Sequence, residues 1–176
     1  MDWLLWVDIE TTGLNPQTDH ILEIAYVLTD FTLTKYYTFP ELTIQHDLKN
    51  LVMDTWCFET HTQSGLLNKV QQSITSLMDA ENTMLTLINS YLTIQDKLHI
   101  AGNSVHFDKK FIDVFMKRLS KRLSHRIVDV STLAIVTKNL KPNIYEQRPQ
   151  KRYFHTAQND ILESIQEYKY YMNNLL

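Results

Sequence analysis

Along the chain the apolar positions run first as strands and later at helical spacing. Residues 4–10 form an almost unbroken apolar run that turns polar only at its end, the pattern of a buried strand. Thr11-Thr12-Gly13-Leu14-Asn15-Pro16 breaks it. Residues 21–29 and 32–39, rich in β-branched and aromatic side chains, read as two further strands joined by a tight turn at Asp30-Phe31. Helices are predicted over residues 60–73 and 76–93, the second with Leu77, Met84, Leu87, Ile88 and Leu92 at three- and four-residue spacing. A short strand over 97–101 ends at Gly102. A helix over 108–123 carries Phe111, Ile112, Phe115 and Leu119 on one stripe. Residues 126–130 read as a strand, and Ser131 is placed to cap a helix that runs to Asn139. A polar loop over 141–152 holds Pro142 and Pro149. The closing helix, 157–174, turns Ile161, Ile165 and Tyr168 inward. Three strands followed by alternating helices and strands predict an α/β fold, a mixed sheet flanked by helices.

Length and composition narrow the class. A chain of 176 residues with 44% hydrophobic and 21% charged residues suits one globular domain over 1–176 and excludes a disordered or fibrous protein. The single cysteine, Cys57, rules out an intrachain disulfide and cysteine-based zinc geometries, and points to a reducing, cytoplasmic compartment. The apolar runs are too short for a transmembrane helix, so no membrane association is expected. Residues 1–6 are apolar but lack a basic flank, and Asp8 follows at once, unlike a signal peptide. A formal charge of −3 disfavours binding long nucleic acid by electrostatics alone. Any nucleic-acid chemistry is therefore local, with metal ions as its natural means.

Four carboxylates and a histidine carry that chemistry. Strand alternation puts Asp8 and Glu10 on one face at the end of a buried strand, where the two acids repel unless a cation lies between them. Asp108 stands where Gly102-Asn103-Ser104-Val105-His106-Phe107 leads from a strand into a helix. Asp160 lies one turn into the last helix, with His155 five residues earlier. Singly, each residue fits an ordinary role: a strand end in solvent, two helix-start acids, a loop histidine. In this order they supply hard oxygen ligands suited to Mg²⁺ or Mn²⁺ and one group able to take a proton near neutral pH. Two such ions about 4 Å apart suit phosphodiester hydrolysis.

The pattern resembles the DEDDh class of 3′→5′ exonucleases, the RNase T and proofreading-subunit superfamily, and within it the oligoribonuclease family. It shows in Trp6-Val7-Asp8-Ile9-Glu10-Thr11-Thr12-Gly13-Leu14, in Ile21-Leu22-Glu23-Ile24-Ala25, and in Met53-Asp54-Thr55-Trp56. Thr60-His61-Thr62-Gln63-Ser64-Gly65-Leu66, Gly102-Asn103-Ser104, Asp129-Val130-Ser131-Thr132-Leu133 and Asp160-Ile161-Leu162-Glu163-Ser164-Ile165 continue it. The resemblance implies an RNase H-like five-stranded sheet and two divalent cations, Mg²⁺ or Mn²⁺. It assigns metal ligands to Asp8, Glu10, Asp108 and Asp160, and the general base to His155. Thr156 stands where the sister class has a tyrosine, so the histidine subclass is implied.

The same resemblance implies a homodimer acting on short single-stranded RNA. Leu14 and Trp56 match the side chains that wedge the bases, a sequence-tolerant contact. Ser104, Arg126 and Ser131 match a cap over the 5′-phosphate, and His61 lies in a matching segment. Three positions depart from the family: Val105-His106-Phe107 replaces Ile-Gly-Gln, His125 replaces a tyrosine that serves the dimer, and Phe154 replaces a cap threonine. Three readings follow. The leading one is a metal-dependent exoribonuclease that takes very short RNA, down to dinucleotides, to 5′-mononucleotides. The others are a broader RNA or DNA single-strand exonuclease and a catalytically silent nucleic-acid-binding protein on the same fold.

Overall fold

In the computed structural model, which describes residues 1–150 and 156–175, one sheet runs through the molecule with helices on both faces. In chain order the strands are β1 (Asp2–Thr11), β2 (Ile21–Asp30), β3 (Tyr36–Thr38), β4 (Leu42–Thr43), β5 (Lys97–Gly102) and β6 (Leu123–Asp129). The sheet order is β3-β2-β1-β5-β6, with β4 also pairing β2. β1 and β2 are antiparallel, while β1, β5 and β6 are mutually parallel. The sheet is thus mixed, as expected, but has six strands rather than five. β4 is only two residues long, too short to carry an alternation signal.

Alternation along β1 sorts its side chains between two cores. Leu5, Val7 and Ile9 join Ile24, Tyr26 and Leu28 of β2 on one face, covered by α3 (Leu77–Tyr91) and α4 (His106–Phe115) through Met84, Ile88, Phe111 and Ile112. Leu4 and Trp6 face the other way with Ala25, Val27 and Ala101, under α8 (Ala157–Leu175), which contributes Ile161, Ile165, Tyr168 and Tyr171. That second face, continued two and four residues past Trp6, brings Asp8 and Glu10 to the α8 side.

Several boundaries move for identifiable reasons. The predicted helix over 60–73 is two helices, α1 (Thr55–Gln63) and α2 (Leu66–Gln72), because Gly65 adopts a left-handed φ of 76° between them. Asp54 starts α1 by accepting the Cys57 N–H at 2.9 Å. The helix over 108–123 breaks at Met116 into α4 and α5 (Lys117–Arg122). There the buried Glu81 carboxylate of α3 accepts the N–H groups of Arg118 at 2.7 Å and Leu119 at 3.0 Å, capping α5 from another element. Asp129, not Ser131, caps α6 (Val130–Leu140), accepting the Ser131 N–H at 2.9 Å. The loop after α6 contains a short helix, α7 (Pro142–Glu146). The turn after β2 is longer than Asp30-Phe31 alone, and Asp30 Oδ1 closes it on the Thr34 N–H at 2.8 Å.

Candidate active site

The site lies at the carboxyl ends of the parallel strands β1 and β5, where open α/β sheets place their ligands. Asp8 and Glu10 rise from the last turn of the β1 pleat, opposite Ala25 and Glu23 of β2. A register shift between Glu10 and Thr11 ends the regular pairing there. Asp160 comes from the first turn of α8, and its N–H donates to the Thr156 carbonyl at 3.0 Å. Carboxylate oxygens of Asp8, Glu10 and Asp160 lie within 4.8 Å of one another. Asp108 enters from α4. It is buried, and its Oδ1 accepts the Ile9 N–H at 2.9 Å, which pins it to the backbone between Asp8 and Glu10.

The electrostatics follow from this crowding. Burial, then the neighbouring charges of Asp8, Asp160, Glu23 and Glu41, push the Glu10 carboxyl up to about 8. Burial and the Asp8 charge also hold Asp108 well above the usual carboxylate range, against the pull of the Ile9 hydrogen bond. Such a cluster is an unfavourable place for protons to leave and a favourable one for a cation to enter. The donors are oxygens only, the chemistry of a hard divalent cation, so the residues present fit a metal of the Mg²⁺ or Mn²⁺ type.

His61 is placed differently from a substrate contact. It is 3% exposed on α1, with Nε2 2.9 Å from the Thr11 carbonyl oxygen and Nδ1 3.9 Å from a Glu10 carboxylate oxygen. It braces the end of β1. Leu14 and Trp56 are the reverse: 79% and 63% exposed, large apolar side chains offered to solvent rather than to the core. Leu14 tips a loop that Asp19 closes, accepting the Asn15 N–H at 2.8 Å. A Cβ at Gly13 would stand 2.6 Å from the Asp19 carboxylate, so a larger residue there would have to displace Asp19 from its bonds to the loop.

Ser104 and Ser131 meet. The Ser104 N–H donates to Ser131 Oγ and to Asp129 Oδ1, both at 2.9 Å, and the two hydroxyls lie 3.3 Å apart. Ser104 holds a left-handed φ of 51°, an uncommon conformation that this double hydrogen bond secures. Arg126 does not join them. It is exposed on the edge strand β6 and lines a separate groove with Asp2, Asp96, Arg122 and His125. His155 and Phe154 lie outside the described residues. Sequence reasoning gave no role to Asp129, whose Oδ1 accepts the N–H groups of both serines, or to Asn103, whose Oδ1 lies 3.2 Å from Ser131 Oγ. Both stand in segments that carry the resemblance, and Asp129 left a second signal as an acid directly before a helix at the head of Val-Ser-Thr.

Comparison with known proteins agrees with this geometry. The RNase T exonuclease family model matches residues 5–168. The mitochondrial oligoribonuclease of Bos taurus is 40% identical over 173 residues, covering 98% of this chain and 73% of that protein. The oligoribonuclease of Vibrio campbellii is 38% identical over 173 residues, covering 98% of this chain and 94% of that protein. Among solved structures, Escherichia coli exonuclease I in complex with a dA16 oligonucleotide superposes with a TM-score of 0.70 at 14% identity, over 98% of this chain and 41% of that one. At that identity the likeness speaks for the fold alone. The extent and identity of the sequence matches place this chain in the oligoribonuclease family of RNase T-type exonucleases.

Proposed function

We infer that this protein is a 3′→5′ exoribonuclease that hydrolyses very short RNA to 5′-mononucleotides with divalent cations. One observation carries the reading: β1, α4 and α8 deliver four carboxylates to the end of one strand, three of them with oxygens within 4.8 Å. Membership of the oligoribonuclease family supports the substrate class.

Asp8, Glu10, Asp108 and Asp160 would hold two cations. When bound, these polarise the scissile phosphate and stabilise the attacking and leaving oxygens. His155 takes the proton of the attacking water, a role assigned from the resemblance. Leu14 and Trp56 hold bases by apolar and π-face contact, which needs no particular sequence. Ser104 receives the 5′-phosphate of a dinucleotide through its hydroxyl, and Ser131 holds Ser104 in place.

A homodimer and a cytoplasmic location complete the reading. Ile127 on the edge strand and Ile135, Val136 and Leu140 on α6 are exposed apolar residues available to a second copy. No helix among the described residues is long and apolar enough to cross a membrane. The second enzyme reading, a broader single-strand exonuclease, draws on the separation of Arg126 from the two serines.

End-labelled RNAs of two, five and twenty nucleotides, incubated with Mg²⁺, test the proposal. The dinucleotide is expected to be cleaved fastest. Equal cleavage of all three lengths favours the broader exonuclease, and no cleavage of any favours a silent binding protein.

A further inference from the structure

Glu167 is a buried carboxylate that the proposed hydrolysis does not use. It is 4% exposed on α8, two turns beyond the metal-site acid Asp160. Its Oε2 accepts from Asn103 Nδ2 at 3.3 Å, and its Oε1 accepts from the Tyr171 hydroxyl at 3.2 Å. Arg148 Nε lies 3.9 Å from Oε1, its guanidinium stacked 3.7 Å over the Tyr145 ring and donating to the Tyr145 carbonyl at 2.9 Å. A buried carboxylate is costly unless paired and hydrogen-bonded, and among the contacts above a cation and two donors face it.

The consequence lies one residue further on. Asn103 Nδ2 also donates to Ser164 Oγ at 2.9 Å, while the Ser164 hydroxyl donates to the Asp160 carbonyl at 2.8 Å. Ser164 has spent its one hydrogen, and Glu167 Oε2 stands toward Asn103 as an acceptor. Both partners are therefore acceptors toward Asn103, so its amide orientation is fixed: NH₂ toward α8, Oδ1 toward Ser131. Ser131 Oγ lies 3.2 Å from that Oδ1 and donates to it. The Ser131 oxygen is then left to accept the Ser104 N–H at 2.9 Å. Hydrogen-bond direction thus runs without a gap from Glu167 through Asn103 and Ser131 to Ser104. The Ser104 hydroxyl is then the donor of the 3.3 Å contact with Ser131 Oγ, and it is the group that can turn from there toward an arriving phosphate.

We propose that Glu167 is a positioning residue for the 5′-phosphate cap, which through Asn103 fixes the hydroxyl of Ser131 beside Ser104. The inference rests on the reading of Ser104 and Ser131 as that cap. Without Glu167 only Ser164 still accepts from the Asn103 amide, which can turn over and present NH₂ to Ser131 once the Ser164 hydroxyl turns from the Asp160 carbonyl to donate to it. Ser131 Oγ must then accept from Asn103 as well as from the Ser104 N–H, and its released hydrogen competes for the Ser104 hydroxyl 3.3 Å away, so the pair loses its single arrangement. Glu167 touches neither metal nor phosphate in this account, and its effect is on recognition of the phosphorylated end.

The test compares kcat/KM for a 5′-phosphorylated dinucleotide with that for the same dinucleotide lacking the phosphate. Ser131→Ala reports on the cap itself, and Glu167→Ala, Glu167→Gln and Asn103→Ala report on the proposal. Glu167→Ala and Asn103→Ala are expected to lower the ratio about fivefold, the worth of one hydrogen bond expressed in a rate. Glu167→Gln, whose amide oxygen still accepts from Asn103, is expected to restore most of it. The Glu167→Ala and Asn103→Ala losses should not add, because both act through one chain of bonds. Should Glu167→Ala fold poorly, Asn103→Ala and Glu167→Gln carry the same comparison. A ratio lowered by Ser131→Ala but left unchanged by Asn103→Ala and the Glu167 variants overturns the positioning role alone. A ratio unmoved by Ser131→Ala overturns the cap reading, and the positioning role with it.

Discussion

His61 Nε2 lies 2.9 Å from the Thr11 carbonyl oxygen, while the other ring nitrogen faces a Glu10 carboxylate oxygen at 3.9 Å. One buried imidazole therefore ties α1 to the point where β1 leaves the sheet and stands against a proposed metal ligand. His61→Ala leaves a buried carbonyl without its partner, and a loss of about 1–3 kcal/mol in stability is expected. Because His61 reaches Glu10 rather than substrate, the variant should lower kcat more than it raises KM. Denaturant titration with steady-state kinetics checks both. A pure KM effect would return His61 to the substrate.

The raised Glu10 carboxyl gives a pH dependence with a definite sign. A carboxyl pushed up to about 8 in the folded chain binds its proton more tightly there than in the unfolded chain. Its contribution to stability is complete below the unfolded value near 4.5 and is lost as pH rises through about 8. Glu10→Gln cannot ionise. In EDTA its melting temperature should match the native protein near pH 5 and exceed it by several degrees at pH 9, at roughly 2–4 °C per kcal/mol. Added Mg²⁺ should raise the melting temperature of the native protein at pH 8 and leave Glu10→Gln unmoved. A native protein equally stable at pH 5 and pH 9 in EDTA would contradict the crowding.

Much of this site was legible in sequence because strand alternation is so regular. The parity of Leu4 and Trp6 carries through to Asp8 and Glu10, so their shared face follows from the pattern alone. The stripe Ile161, Ile165, Tyr168 likewise orients α8. What stayed hidden depends on contacts between elements distant in sequence. The break at Met116 exists because Glu81, thirty-seven residues from Arg118, supplies the cap. Nothing near Met116 signals it. The roles of Asn103 and Glu167 are separated by 64 positions and appear only when α8 packs beside β5. His61 has the composition of a binding residue, and only its burial shows it to be a brace.

Arg126, which lies apart from Ser104 and Ser131, tests how short the preferred substrate is. A guanidinium that reaches the 5′-phosphate of a dinucleotide contributes only when that phosphate is the second in the chain. If Arg126 leaves that separate groove to join Ser104 and Ser131 when substrate binds, Arg126→Ala should slow 5′-phosphorylated dinucleotides roughly ten- to a hundredfold, as expected for one charge-assisted hydrogen bond, with little effect on a twenty-nucleotide RNA. Equal losses on both would assign Arg126, with Arg122 and His125 beside it, to a general groove for the RNA backbone.

Trp56 tests the base contact independently of length. It is exposed at the start of α1, so Trp56→Ala should cost little stability. Loss of one base-stacking platform should raise KM by about ten- to a hundredfold, since such a contact is worth about 1–3 kcal/mol. A fall in melting temperature with KM unchanged would make Trp56 a packing residue.

The central claim is that β1, α4 and α8 build one metal-dependent hydrolytic centre, and hydrolysis of a short RNA by Asp160→Asn tests it most directly. The amide keeps the shape of the side chain and its place in the first turn of α8 but gives up the charge a cation needs. The variant should keep the circular dichroism spectrum of the native protein and lose at least about 10²-fold in cleavage rate. EDTA should reproduce the loss in the native protein, and Mg²⁺ should reverse it there and not in the variant. Cleavage by Asp160→Asn at a rate near that of the native protein, or cleavage that persists in EDTA, would contradict the account.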